Sequence, residues 1–242
     1  MDSIEYPARI NKYLAFKKYA SRREADTFIR NGWVKINGKT AKLGDKVSEH
    51  DTVTVSPGAV KKRREALVYF AYNKPIGIVS VSPEGDQRSI LDVAGIQTWV
   101  FPLGRLDRSS RGLILLTNDG RVTDQLLNPD REHEKEYIVK VDKSLEKHFL
   151  RHLATGIDIH IKEHMTKPAI VTQTKGDTFR ITLVEGKKHQ IRRMCSAFGY
   201  VVKDLQRVRV MNIKLGNLKE GTYRKIEGEE LQEFLSALGL RI

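Results

Sequence analysis

The sequence predicts an α+β protein: a small helix-helix-hairpin domain, then a larger domain built on a mixed, largely antiparallel sheet with flanking helices. Three observations carry this. Short apolar runs of strand length outnumber the stretches with helical spacing. No strand-helix alternation dominates, which disfavours a doubly wound parallel sheet. A turn-forming, strongly basic stretch separates the first 58 residues from the rest, giving a small domain at 1–58, a linker at 59–66 and a large domain at 67–242.

In the first domain a helix is expected around Ile10 to Phe16. Ser21-Arg22-Arg23-Glu24 has the Ser-x-x-Glu spacing of a capping box and opens a second helix, with Ala25, Phe28 and Ile29 on its apolar stripe. Gly32 is its C-terminal stop. Trp33 to Ile36 leads into Asn37-Gly38, the strongest short hairpin signal, and Asp51 to Val55 alternates as a further strand. The polar positions are mostly basic: Arg9, Lys12, Lys17 and Lys18 on or just after the first helix, Arg22 and Arg23 at the start of the second. Cations at a helix start oppose the macrodipole, which makes sense where that end faces phosphates, although solubility explains them equally well in isolation. The linker combines Pro57 and Gly58 with the cations Lys61, Lys62, Arg63 and Arg64, a composition that buries little surface.

The second domain reads as strands at Leu67 to Ala71, Ile76 to Val81, the apolar run after Arg111, Tyr137 to Val141, Phe179 to Val184 and Val208 to Leu215. Ile191, Met194, Cys195 and Phe198 line one face of a helix over His189 to Phe198. Leu231, Phe234, Leu235 and Leu238 do the same for Glu229 to Leu238, closed by Gly239. Residues 143 to 177 carry no interpretable signal.

At 242 residues the chain can bury its cores without staples, and its lone Cys195 forbids an internal disulfide. With no charged-then-apolar leader, a reducing cytoplasm is the expected compartment. No apolar run is long enough to span a membrane, and no basic amphipathic helix suits a lipid surface. A net charge of +13, spread along the whole chain, attracts polyanions, so nucleic acid is the expected partner. A monomer is the default expectation.

The segment Gly104-Arg105-Leu106-Asp107-Arg108-Ser109-Ser110-Arg111-Gly112-Leu113-Ile114-Leu115-Leu116-Thr117-Asn118-Asp119-Gly120 sets one acid among three arginines, ahead of an apolar run. Asp107 stays ionised there, because cations favour the charged form. Charge pattern alone equally describes a salt-bridged loop residue. Gly-Arg-Leu-Asp followed by Ser-x-Gly-Leu-Ile-Leu-Leu-Thr-Asn-Asp-Gly, however, resembles the active-site signature of bacterial RNA pseudouridine synthases. Arg9 to Ala15, Ser21 to Asp26 and Gly32 to Lys39 resemble the small RNA-binding fold named after ribosomal small-subunit protein four. Together they resemble the ribosomal RNA-modifying branch that carries this module, most nearly its large-subunit enzymes.

The resemblance implies a reaction without cofactor, in which Asp107 is the essential carboxylate. The sequence leaves open whether it attacks the sugar, attacks the base or removes a proton. A uridine in a stem must be flipped out to be reached. By resemblance Arg105 fills the vacated stack or binds a phosphate, and Tyr137 of Lys135-Glu136-Tyr137 stacks on the base. In Gly186-Lys187-Lys188-His189-Gln190-Ile191-Arg192-Arg193, Ile191 packs on the base and Arg192 pairs with Asp107. Lys187, Lys188 and Arg193 would meet phosphates. The target is expected in 23S ribosomal RNA, with small-subunit RNA and a tRNA anticodon loop as alternatives.

The seven histidines include His148/His152 and His160/His164 at helical spacing, but no third ligand accompanies either pair, so no metal is expected. Phosphate and dinucleotide glycine loops and the Gly-x-Ser-x-Gly elbow are missing. A non-catalytic ribosome-assembly factor competes, although it has no chemical need of Asp107. A methyltransferase would require a cofactor loop that is not found.

Overall fold

The computed structural model describes residues 4–17, 19–20, 22–56, 67–159 and 165–240. The expected capping box rests on Ser21, the linker spans 59–66, and Lys18, His160 and His164 complete the expectations that lie outside these residues. The chain forms two compact units, Met1–Leu67 and Val68–Ile242.

The first unit runs β1 (Ala8–Arg9), α1 (Ile10–Phe16), α2 (Arg22–Arg30), β2 (Val34–Ile36), β3 (Lys39–Thr40), β4 (Lys46–Val47) and β5 (Val53–Val55). β2 is the centre of a three-stranded sheet between β3 and β5, and β1 pairs with β4. Asn37 and Gly38 both take positive φ (50° and 81°), as the two-residue hairpin demands. Ile10, Leu14, Ala25, Phe28, Ile29 and Val34 close the core. Arg9 precedes α1 on β1 rather than riding on the helix, because its backbone pairs with Lys46. At two residues each, β1 and its partner β4 are too short to show a periodic signal.

The second unit is organised by one sheet in the order β10 (Ile170–Lys175), β11 (Thr178–Leu183), β9 (Lys135–Val141), β12 (Val202–Val210), β8 (Arg111–Thr117), β6 (Tyr69–Lys74), β14 (Tyr223–Lys225). β7 (Phe101–Leu103) joins β8, and β13 (Ile213–Lys214) joins β12. Among the strand pairs of the described residues in this sheet, β12–β8 alone is parallel. Gly112 permits that pairing: a Cβ there would lie 2.3 Å from the Arg207 carbonyl oxygen, and its φ of +103° suits glycine. The sheet is thus mixed and largely antiparallel.

Central strands β6 and β8 are buried on both faces. Tyr69, Ala71, Leu113 and Leu115 pack against α4 (Arg121–Leu127) and α7 (Gly228–Ala237) through Val122, Leu126, Phe234 and Leu235. Phe70, Tyr72, Ile114 and Leu116 meet Leu106 and the short α3 (Ile90–Val93) on the other side. A third cluster joins β9 and β11 to α5 (Lys147–Thr155) and α6 (Gln190–Ser196) through Val139, Phe149, Phe179, Ile191, Met194 and Cys195. The helical stripe read from the sequence therefore faces this core.

Two expected strands differ. Ile76 to Val81 is a turn with a single bridge at Val79, because Gly77, at φ +88°, reverses the chain and gives its amide to the Arg108 carbonyl. Val208 to Leu215 divides into β12 and β13, which pair across a reversal with Met211 at φ +51°. Residues 143 to 177 supply α5 and β10.

Candidate active site

Asp107 lies on the loop between β7 and β8, which Gly104 (φ +78°) turns out of the strand. Both neighbours of the aspartate are tied to the segment that follows β6. Ser80 Oγ donates to the Leu106 carbonyl and accepts from the Leu106 amide, both at 2.9 Å. Gly77 gives its amide to the Arg108 carbonyl at 2.8 Å, and its own carbonyl accepts from Arg108 Nε at 3.1 Å. The Ser110 amide closes the turn onto the Asp107 carbonyl at 3.0 Å.

The clamping segment is itself held by Lys74, a fully buried lysine whose Nζ donates to Pro75 O at 2.8 Å and Ile78 O at 2.7 Å. Burial pulls this ammonium down to about 8, against the opposing pull of the Asp107 and Glu220 carboxylates. Sequence reading passed over Lys74 and Ser80; the available signal was a lysine directly before Pro75 in an otherwise uncharged strand.

Tyr137, near the start of β9, packs against the cluster holding Leu106 and also against the one holding Ile191. Its side chain therefore lies where these two clusters meet. Ile191 is 5% exposed and belongs to the core cluster with Met194 and Cys195.

The expected Arg192–Asp107 pair does not form. Arg192 Nη2 donates to Ser109 O at 2.9 Å and, weakly, to Ser110 Oγ at 3.4 Å, while Nη1 reaches Val202 O at 3.2 Å. The guanidinium grips the loop backbone beyond the aspartate, because α6 approaches from the β12 side. The carboxylate instead faces His189, whose Nε2 is 3.4 Å from Asp107 Oδ1, with the acid 39% exposed. His189 precedes α6 in a left-handed conformation (φ 52°, ψ 30°).

Gln190 fixes that approach: its buried side chain accepts from the Lys187 amide at 2.9 Å and donates to Glu185 at 2.7 Å. Lys187 is turned inward. Its ammonium turns to Met165 O and lies 3.6 Å from Glu185, with the side chain 15% exposed, so it braces this loop. Arg193 reaches Ile159 O at 3.4 Å from a half-buried position. Arg105 is exposed, and among the described residues its guanidinium has no protein partner. Arg9, Lys12 and Arg22 are exposed on the first unit, and of Arg23 only the backbone, in α2, is described.

The second half of the signature is scaffold. Asp119 is buried, accepts from Tyr69 Oη at 2.6 Å and binds Arg121 Nε and Nη2 at 2.9 Å. Burial pushes its carboxyl up, but these bonds outweigh burial and hold it below the ordinary value. The Cys195 thiol is pushed up to about 12 by burial, which leaves it inert as a nucleophile. His148 and His152 meet edge to face at 6.2 Å, with His152 stacked on Phe198. Among the described residues no group of three potential ligands could hold a metal, and no helix is long and apolar enough to cross a membrane.

The family described as RNA pseudouridylate synthase matches residues 68–197, and the S4 domain matches residues 8–53. The chain is similar to the dual-specificity RNA pseudouridine synthase RluF of Escherichia coli K12, 44% identical over 224 residues, covering 92% of this chain and 77% of the relative. It is 34% identical over 233 residues to the ribosomal large subunit pseudouridine synthase B of Bacillus subtilis, covering 93% and 94%. A crystal structure of a pseudouridylate synthase superposes with a TM-score of 0.69 at 29% identity, covering 96% of this chain and 99% of that one.

Proposed function

Since this chain belongs to the RNA pseudouridine synthase family, in the branch with an N-terminal S4 domain, we propose that it isomerises a specific uridine of ribosomal RNA, in the large subunit, with Asp107 as the essential carboxylate. One observation carries the assignment of Asp107: a partly exposed carboxylate on a loop clamped at both neighbouring residues, with Tyr137 packed against both the core cluster that contains Leu106 and the one that contains Ile191.

The reaction breaks the bond from ribose C1′ to uracil N1 and forms one from C1′ to C5. C5 loses a proton and N1 gains one, so atoms and electrons balance without oxidant, reductant or co-substrate. A carboxylate serves such chemistry as nucleophile or as partner of a cationic sugar. Its fixed backbone supplies orientation in advance, so the carboxylate need not be aimed at the moment of reaction. The Tyr137 ring offers the flipped base a stacking surface worth about 1–3 kcal/mol.

The module at 1–58 holds the RNA backbone through Arg9, Lys12, Arg22 and Arg23, Arg193 adds a phosphate contact, and Arg105 serves near the flipped nucleotide. Phosphate contacts position RNA without reading its sequence. The protein acts as a cytoplasmic monomer.

The test is pseudouridine formation on protein-free ribosomal RNA, read by carbodiimide-primer extension, with wild type and Asp107→Asn and no added cofactor. A modified site seen only with wild type is expected, with RNA affinity unchanged within about threefold, because one neutralised loop carboxylate removes no phosphate contact. Tight binding by both proteins without modification of ribosomal RNA would replace the enzymatic reading with that of an assembly factor.

A further inference from the structure

The carboxylate of Asp107 has a neighbour to which neither the charge pattern nor the resemblance gave a role. His189 Nε2 lies 3.4 Å from Asp107 Oδ1, and among the described residues no lysine or arginine nitrogen lies within 4.0 Å of that carboxylate. The other cations nearby act differently. Lys74 is bound to Pro75 O and Ile78 O, Arg192 to Ser109 O, and Arg108 Nε to Gly77 O, while Arg105 points its charge to solvent.

Both sides of the contact are held from behind. The Ser80 and Gly77 bonds fix the backbone of Asp107, and Gln190 fixes the turn that carries His189 through the Lys187 amide and Glu185, which also accepts from the Lys167 amide at 2.9 Å. The turn keeps His189 at φ 52°, a conformation unusual for residues other than glycine and one that persists only where its surroundings enforce it. The terminal torsion of an aspartate, by contrast, is broad and roughly two-fold. A clamped backbone alone therefore does not decide which oxygen faces the substrate.

We infer that His189 is a positioning residue: its Nε2–H donates to Asp107 Oδ1, sets the plane of the carboxylate and leaves Oδ2 for the uridine. The inference rests on the reading of Asp107 as the essential carboxylate. Both the Nε2–H neutral tautomer and the imidazolium supply the donor. At 3.4 Å the contact is longer than a good hydrogen bond and shortens when RNA closes over the site, as catalytic contacts of free enzymes commonly do.

The experiment compares His189→Ala, His189→Asn and His189→Gln with wild type and Asp107→Asn in single-turnover modification of protein-free ribosomal RNA, together with the RNA concentration at half-saturation. Asparagine accepts the left-handed backbone but is too short to reach Asp107, whereas glutamine carries an N–H donor further out. His189→Ala and His189→Asn should lose about 10- to 100-fold in rate at saturating RNA, with half-saturation unchanged within about twofold and His189→Gln recovering most of the rate. Equal losses in the alanine and asparagine variants assign the effect to the ring donor and not to the turn. Wild-type rates in both would overturn the inference, and so would a loss confined to half-saturation, which would make His189 an RNA contact. An active Asp107→Asn would instead overturn the reading of Asp107, separately from any result at His189.

Discussion

Ser80 Oγ lies 2.9 Å from both the amide nitrogen and the carbonyl oxygen of Leu106, so one hydroxyl satisfies the whole backbone of the residue before Asp107. Ser80 is 4% exposed and Leu106 8%, which leaves little room for water to replace it. A serine between two apolar residues of an expected strand carries no such signal; the contact exists because the segment after β6 turns back at Gly77.

Ser80→Ala should therefore cost about 1–3 kcal/mol, the penalty for leaving buried polar groups unpaired. It should also slow modification at saturating RNA, since the loop loses half of its clamp. Urea unfolding and single-turnover rates test this together. A variant of wild-type stability and wild-type rate would show that the loop is held by other means.

Lys74 gives a pH dependence of defined sign. Its native value is about 8 against an ordinary 10.5. Between these values the unfolded chain keeps a proton that the native chain has lost, so stability rises with pH across that window. The cost of the buried charge, a few kcal/mol, is fully present below about 8 and gone by about 10.5. Lys74→Met removes the slope. The unfolding free energy of wild type minus that of Lys74→Met should thus increase from pH 7.5 to 10, and parallel profiles would exclude a desolvated ammonium.

Arg105 should matter to RNA and not to folding. It is exposed and without a protein partner among the described residues, so Arg105→Ala should leave the unfolding midpoint unchanged. If it meets a phosphate, the slope of log affinity against log salt should fall by about 0.7–0.9. An unchanged slope with a reduced rate would assign Arg105 to the vacated stack instead.

The sequence by itself determined the α+β class, the two-residue hairpin at Asn37-Gly38, the α6 stripe and the segment carrying Asp107. Each is written in periodicity, turn chemistry or a contiguous motif, signals that act within a few residues. Only the tertiary structure decided what surrounds the carboxylate. Strand order places β12 between β9 and β8, so α6 meets the loop with Arg192 on Ser109 O and His189 on Asp107 Oδ1, where resemblance had paired Arg192 with the acid. It also buried Lys74 under the loop and turned Lys187 inward to Glu185. Those contacts join residues far apart in the chain, and their geometry depends on side-chain directions that no local pattern encodes.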